Sequence, residues 1–177
     1  MGETYDEAYI NNEKNVVADS KWNFWCNPKI IVAGMTKVIE AVYVEYPLGI
    51  GVGCYGIYDF AAYAPHCLTA VLNSKYMTYH FTNQFKDKHL AGGYLAINKS
   101  TIEELPLVPI SKKMQDILSD LSKQIHQKVS LKQDTMFIER EIDLIVFRLF
   151  DVPFSEVKMI NPDFSFTEQE YFNLHLI

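Results

Sequence analysis

The sequence predicts an α+β fold: a small twisted, mostly antiparallel sheet with helices packed on it, followed by a C-terminal helical spacer. Three observations predict it. Short β-branched runs crowd residues 29–58, apolar residues at helical spacing follow over 65–85, and two stretches with narrow apolar seams occupy 111–149. At 177 residues one domain is the default, and nearly half of the chain is apolar, enough to bury a core. The expected division is an acidic, poorly ordered leading segment over 1–20, an α+β unit over 21–110, and a helical spacer with a tail over 111–177.

The leading segment is polar and shows no sustained period; with its Met-Gly start it reads as the remnant of a longer protein. Lys29–Ala33 is a short β-branched run, and Val38–Tyr46 is rich in strand formers until Pro47 stops it. Gly49–Tyr58 alternates small and apolar residues, which predicts a strand whose glycine face lies against a close neighbour. Pro65 opens a helix carrying Leu68, Val71, Leu72, Tyr76 and Tyr79, which Asn73-Ser74 can split in two with Ser74 as a cap. Tyr94–Ile97 is a strand candidate, and 100–105 reads as one helical turn capped by Ser100 or Thr101. Pro106 and Pro109 force an extended connector. Ser111 caps the next helix, with Met114, Leu118, Leu121, Ile125 and Val129 on one stripe; Ile138, Ile142, Ile145 and Leu149 mark a second helix ending before Pro153.

A formal net charge of −6 argues against a nucleic-acid partner, because phosphate neutralisation supplies most non-specific affinity. The charge is unevenly spread. Residues 1–20 hold five acids and one lysine, residues 21–100 seven lysines and four acids, and residues 101–177 thirteen acids and eight bases. Cys26, Cys54 and Cys67 are odd in number and form no C-x-x-C pair, which points to a reducing compartment with buried or idle thiols. No apolar run approaches the roughly 20 residues that span a bilayer, so a soluble, cytoplasmic protein without a membrane partner is expected.

The residues offer little for catalysis. There is no G-x-S-x-G elbow, and the glycines at 49, 51, 53 and 56 lack the Lys-Ser/Thr ending of a phosphate loop. Glu139, Glu141 and Asp143 fan out on a helix and read as a solvated face. His66-Cys67 has no second pair at zinc-finger spacing, so no metal site is expected. Asn161-Pro162-Asp163-Phe164 differs from the Asn/Asp-Pro-Pro-aromatic motif of amino-methyltransferases at its third residue, and reads as a turn. What remains is Lys75–Lys99. Lys75, Lys86, Lys88, His89 and Lys99 offer donors to phosphate, while Asn83, Gln84 and Asn98 could pair with base edges. Gly92 and Gly93 would let a backbone approach a ligand closely, and Tyr94 could pack on a sugar or base. A surface loop with incidental lysines accounts for the same residues equally well.

The order Trp-x-x-PKIIV, a glycine-rich strand, LTAVLNSKYMTYHF, and KHLAGGYLAINKSTIEELPLVPIS resembles the TaqI-like C-terminal specificity domain of adenine-specific DNA methyltransferases and fused restriction-modification enzymes. The helix Ile138–Phe150 is similar to the one that closes such proteins, so the resemblance runs over about residues 22–160. The LNSK and LPLVPIS pieces also resemble the target recognition domains of Type I specificity subunits. The resemblance implies that residues 21–110 are a target recognition domain that reads double-stranded DNA without a catalytic site of its own. It further implies that the target base is flipped out of the stack for a separate methyltransferase domain. The parent would be a DNA adenine methyltransferase or a Type II restriction enzyme, with S-adenosylmethionine bound in that other domain and no cofactor in this chain. Its only arginines, Arg140 and Arg148, fall on the closing helix. The alternative is a protein-interaction or dimerisation module, in which the seams over 114–149, with Leu118 and Ile125 exposed, dock a methyltransferase or nuclease partner or a second copy.

Overall fold

The computed structural model describes residues 18–86 and 89–173, and of residues 89–91 the backbone alone. The architecture is α+β, as expected, but the strands form two small sheets rather than one. Helix α1 (Asp19–Cys26) leads into β1 (Lys29–Ala33), which is central in a sheet of order β3-β1-β4 with β3 (Ala41–Val44) and β4 (Cys54–Ile57). Both pairings are antiparallel, with Ile31 opposite Val42 on one side and Gly56 on the other. One residue beyond β1 the chain enters β2 (Met35–Thr36), the edge of a second antiparallel sheet of order β2-β6-β5, with β5 (His89–Leu90) and β6 (Tyr94–Ala96).

Gly34 is the joint between the sheets. Its N–H donates to Gly53 O at 2.7 Å and its carbonyl accepts from Ile97 N at 3.0 Å, so the one residue is tied to both sheets. A Cβ here would stand 2.8 Å from Gly53 O and 3.0 Å from the Tyr55 ring. That backbone approach is what requires glycine.

Two expected strands are shorter than the sequence suggested. Over 38–40 the edge is held by other groups: Ile39 N–H donates to Thr78 Oγ1, and the Glu40 carbonyl accepts from Ala33 N–H. The glycine-rich run becomes a strand only from Cys54, because Gly53 takes a left-handed φ of 89° and turns the chain. Its glycines do separate jobs, Gly49 lying against the Trp25 ring and Gly56 beneath Ile50 and Tyr58.

Helices α2 (Pro65–Leu72) and α3 (Lys75–Gln84) split at Asn73-Ser74 as the sequence indicated, and Ser74 Oγ accepts from Met77 N–H as the α3 cap. Helix α4 (Lys99–Glu103) is capped by Asn98, not by Ser100 or Thr101. Asn98 Oδ1 accepts from Thr101 N–H at 3.2 Å while Thr101 Oγ1 accepts from Asn98 N–H at 2.9 Å. This reciprocal box takes precedence because it satisfies two orphan donors at once.

Helix α5 (Lys112–Ser130) lies along α2, and α6 (Met136–Leu149) packs against both α5 and α3. The stretch expected as a spacer thus shares one core with the sheet: Met114, Leu118, Ile138 and Ile142 join Ile30, Val32, Leu68 and Phe81. Gln115 stitches α5 down from within, accepting from Ala64 N–H and donating to the carbonyls of Ala62 and Ile110. Leu118, expected on an exposed seam, is fully buried because α5 presents that stripe to α2. Helices α7 (Phe154–Ile160) and α8 (Glu168–Asn173) close a second cluster around Phe147, Phe164 and Tyr171.

Gly34→Ala is expected to lower the stability of the chain by about 1–3 kcal/mol, the usual cost of forcing atoms into a filled site. Urea unfolding of the two proteins would show a lower midpoint with an unchanged slope.

Candidate nucleic-acid interface

The segment Leu72–Lys75 is tied into the fold by its own hydrogen bonds, although Asn73 and Lys75 are exposed. Leu72 is buried in the core. The Asn73 amide mimics a neighbouring strand, accepting from Ala41 N–H at 2.7 Å and donating to Ala41 O at 2.8 Å, and so covers the free edge of β3. Lys75 N–H donates to Asp143 Oδ1 at 2.9 Å, and its Nζ reaches Asn161 Oδ1 at 2.9 Å and stands 3.9 Å from Asp143 Oδ2. Asp143 was expected on a solvated helix face and is instead nearly wholly buried, because α6 turns it onto the start of α3. Burial pushes its carboxyl up, to about 6, against the opposing pull of the Lys75 N–H and ammonium.

The glycines after β5 have a structural task of their own. Leu90 pairs with Tyr94, leaving Ala91-Gly92-Gly93 as a three-residue hairpin loop. Gly92 and Gly93 both take φ of 79°, the left-handed geometry such loops demand. Both are exposed, and the Tyr94 ring lies over Gly92.

The other candidates separate by what they touch. Lys86 is exposed, and Lys99 is exposed beside Glu103 at 3.7 Å. An ion pair this open is worth little and leaves the lysine free to choose a phosphate. Asn83 and Gln84 are exposed at the end of α3; Asn83 donates back to Tyr79 O, and Gln84 Oε1 shares a hydrogen bond with His80. Asn98 is half-buried and committed to its cap. Lys88 lies outside the described residues, as does the His89 side chain; the His89 backbone is in β5.

Of the seven lysines over 21–100, Lys29 is internal, donating to the carbonyls of Trp25 and Asn27 at the end of α1, with burial lowering its pKa. Lys37 was not singled out from the sequence. The pairing of Thr36 with Leu95 carries it across from Tyr94, where its Nζ sits 5.6 Å from the ring centroid. Only a strand pairing nearly sixty residues apart in sequence could reveal that neighbour. Beside Lys99, a cleft of about 440 Å³ is lined by Tyr55, Tyr58, Phe60 and Tyr63.

Among the described residues no three His, Cys, Asp or Glu side chains converge as a metal site would need. Cys26 and Cys54 are exposed free thiols, and burial pushes the Cys67 thiol up to about 12. Asn161–Phe164 is a turn closed by Phe164 N–H on Asn161 O. No helix among the described residues is long and apolar enough to cross a membrane.

The family model described as the TaqI-like C-terminal specificity domain matches residues 3–107, more than half of the chain. The chain belongs to this family. No curated protein matches it. A specificity domain has a DNA-recognition role in restriction-modification enzymes, and the matched stretch contains both sheets, α1–α4 and every surface lysine named above. The match ends at Leu107 within the proline connector, so α5–α8 of this specificity domain lie beyond it.

The Asp143 carboxyl gives a signed pH dependence. Its folded pKa lies above its unfolded value, so the folded state binds the extra proton and stability falls as pH rises from about 4 to about 6. Asp143→Asn keeps the acceptor for Lys75 N–H and removes the titration. Relative to wild type, its stability is expected to gain up to about 3 kcal/mol across that window, measured by urea unfolding at a series of pH values.

Proposed function

We propose that this chain is the specificity part of a site-specific DNA adenine methyltransferase or of a fused endonuclease-methyltransferase, acting on double-stranded DNA in the cytoplasm. The chemistry falls to a separate domain of the parent, which holds S-adenosylmethionine and takes the flipped base. This chain then contributes recognition alone. The observation that carries the reading is the family match over the part of the chain where exposed lysines flank a glycine hairpin.

In this reading Lys86, Lys88, His89 and Lys99 meet phosphates, and the hairpin backbone at Gly92-Gly93 with Tyr94 lies against the duplex. Asn83 and Gln84 are the amides able to reach base edges without dismantling a cap, and both are exposed at the end of α3. Lys75 and Asn98, each already bonded within the fold, act on DNA only indirectly by holding α3 and α4.

A second reading is favoured by one surface. At the turn between α5 and α6, Val129, Leu131, Met136 and Phe137 are all more than half exposed, Phe137 at 70%. An apolar cluster of this kind marks a protein contact, and it would dock the methyltransferase or nuclease domain or a second copy of the chain.

Binding of the chain to duplex DNA, followed across salt concentrations, tests the first reading. Lys86→Ala/Lys99→Ala is expected to reduce the slope of log K against log salt by about 2, since each phosphate contact contributes about 0.9. Sedimentation tests the second: if two copies pair through the α5–α6 turn, wild type runs heavier than one chain and Phe137→Asp returns it to the monomer while leaving DNA affinity unchanged.

A further inference from the structure

The outer face of the second sheet carries Met35 and Lys37, which the reading above leaves unassigned. Side chains alternate along β2 and β6, and Leu95 points inward at 2% exposure. Tyr94 therefore points outward, and the pairing of Met35 with Ala96 places Met35 and Lys37 beside it. Met35 is 63% exposed and Tyr94 40%. Among the described residues Lys37 makes no ion pair, and its ammonium rests on the Tyr94 ring.

The strand order puts cations at both ends of this face. Lys37 stands at the hairpin-loop end of β6. Lys99 follows the other end, and Lys86 precedes β5 on that same side. Two steps of about 3.3 Å span β6, roughly 7 Å, a ribbon short enough to lie within the ~12 Å width of the B-DNA major groove, which admits a β-ribbon. Between the cations lie a methionine and a tyrosine, with no arginine to pair with guanine; Arg148 stacks instead on Tyr171 and Phe172.

Resting on the DNA-recognition reading above, we infer that the β2–β6 face enters the major groove and reads A·T pairs by apolar contact. Met35 packs on a thymine methyl group, Tyr94 supports it, and Lys37 pairs with a phosphate at the groove edge. Apolar contact with that methyl is the major-groove signal that needs no hydrogen-bonding side chain.

The test uses the full chain, with bound sites selected from a randomised duplex pool. Each thymine of a selected duplex is then replaced by deoxyuridine, which removes only the methyl. Wild type is expected to lose about fourfold in affinity at one or more positions, the worth of one buried methyl, and Met35→Ala to lose less than half of that at the same positions. Lys37→Ala is expected to lower the salt slope by about 1 while leaving the deoxyuridine effect intact. Both residues are exposed, so unchanged thermal unfolding of the variants serves as the folding control. Salt-sensitive binding by wild type with no deoxyuridine effect, or with one equal in wild type and Met35→Ala, overturns this inference and leaves DNA recognition standing. Absence of any salt-sensitive binding overturns both.

Discussion

The structure depends on what three consecutive residues do between α2 and α3. Asn73 covers the edge of β3 with a pair of backbone hydrogen bonds, Ser74 starts α3, and Lys75 delivers its N–H and ammonium to Asp143 and Asn161. A sheet, two helices and the C-terminal cluster are therefore fixed to one turn of chain. Its polarity follows from the position: a helix break inside a core exposes N–H and C=O groups that no regular element can satisfy. Asp143 is the costly member, since a carboxylate in that place is stabilised by Lys75 alone while burial opposes its charge. A pair of this kind, a buried carboxylate facing a half-exposed lysine, does more to fix the relative placement of α3 and α6 than to add stability.

That junction also explains which parts of the chain were legible in its sequence. The helices of 65–84 and 112–149 were readable because their apolar periods and caps are local; Ser74 and Ser111 stand immediately before their helices and accept from the N–H groups three residues on. The two-sheet arrangement was not, because it rests on Gly34, and nothing near Gly34 reveals that Gly53 will lie 2.8 Å from where its Cβ would be. For the same reason Lys75 read as a phosphate donor. A lysine and an asparagine at a helix break look the same from sequence whether they face solvent or a buried aspartate 68 residues away. Lys37 failed in the opposite direction, as one lysine in a charge count whose neighbour appears only once β2 is laid beside β6.

With Lys29 buried and the half-exposed Lys75 bonded to Asn161 and facing Asp143, the electrostatics of the remainder are sharper. The positive charge left over 21–100 is carried by Lys21, Lys37, Lys86 and Lys99 among the described residues, and three of these four surround the second sheet. The acids of 101–177 fall largely on α5–α8, beyond the family match. A chain of net charge −6 can therefore still offer DNA a positive face, because screening over a Debye length of about 8 Å lets a local patch act without the far side of the molecule.

The same screening argument limits what that face can do alone. Few phosphate contacts are available from it, and each is worth less than a factor of ten between low and physiological salt. Specific sites in restriction-modification systems must outcompete a vast excess of other sequences, and a handful of lysines with two apolar residues does not provide that margin. On the proposed reading, affinity would come from joint engagement: a second DNA-binding unit tethered to this one would raise its effective concentration and multiply the two weak affinities. The exposed apolar cluster at the α5–α6 turn is built on the rigid core that also holds the β2–β6 face, through Met114, Leu118, Ile138 and Leu95. A partner docked there would be held in fixed register with the bases being read, and fixed register is what presenting one chosen base to a distant active site requires.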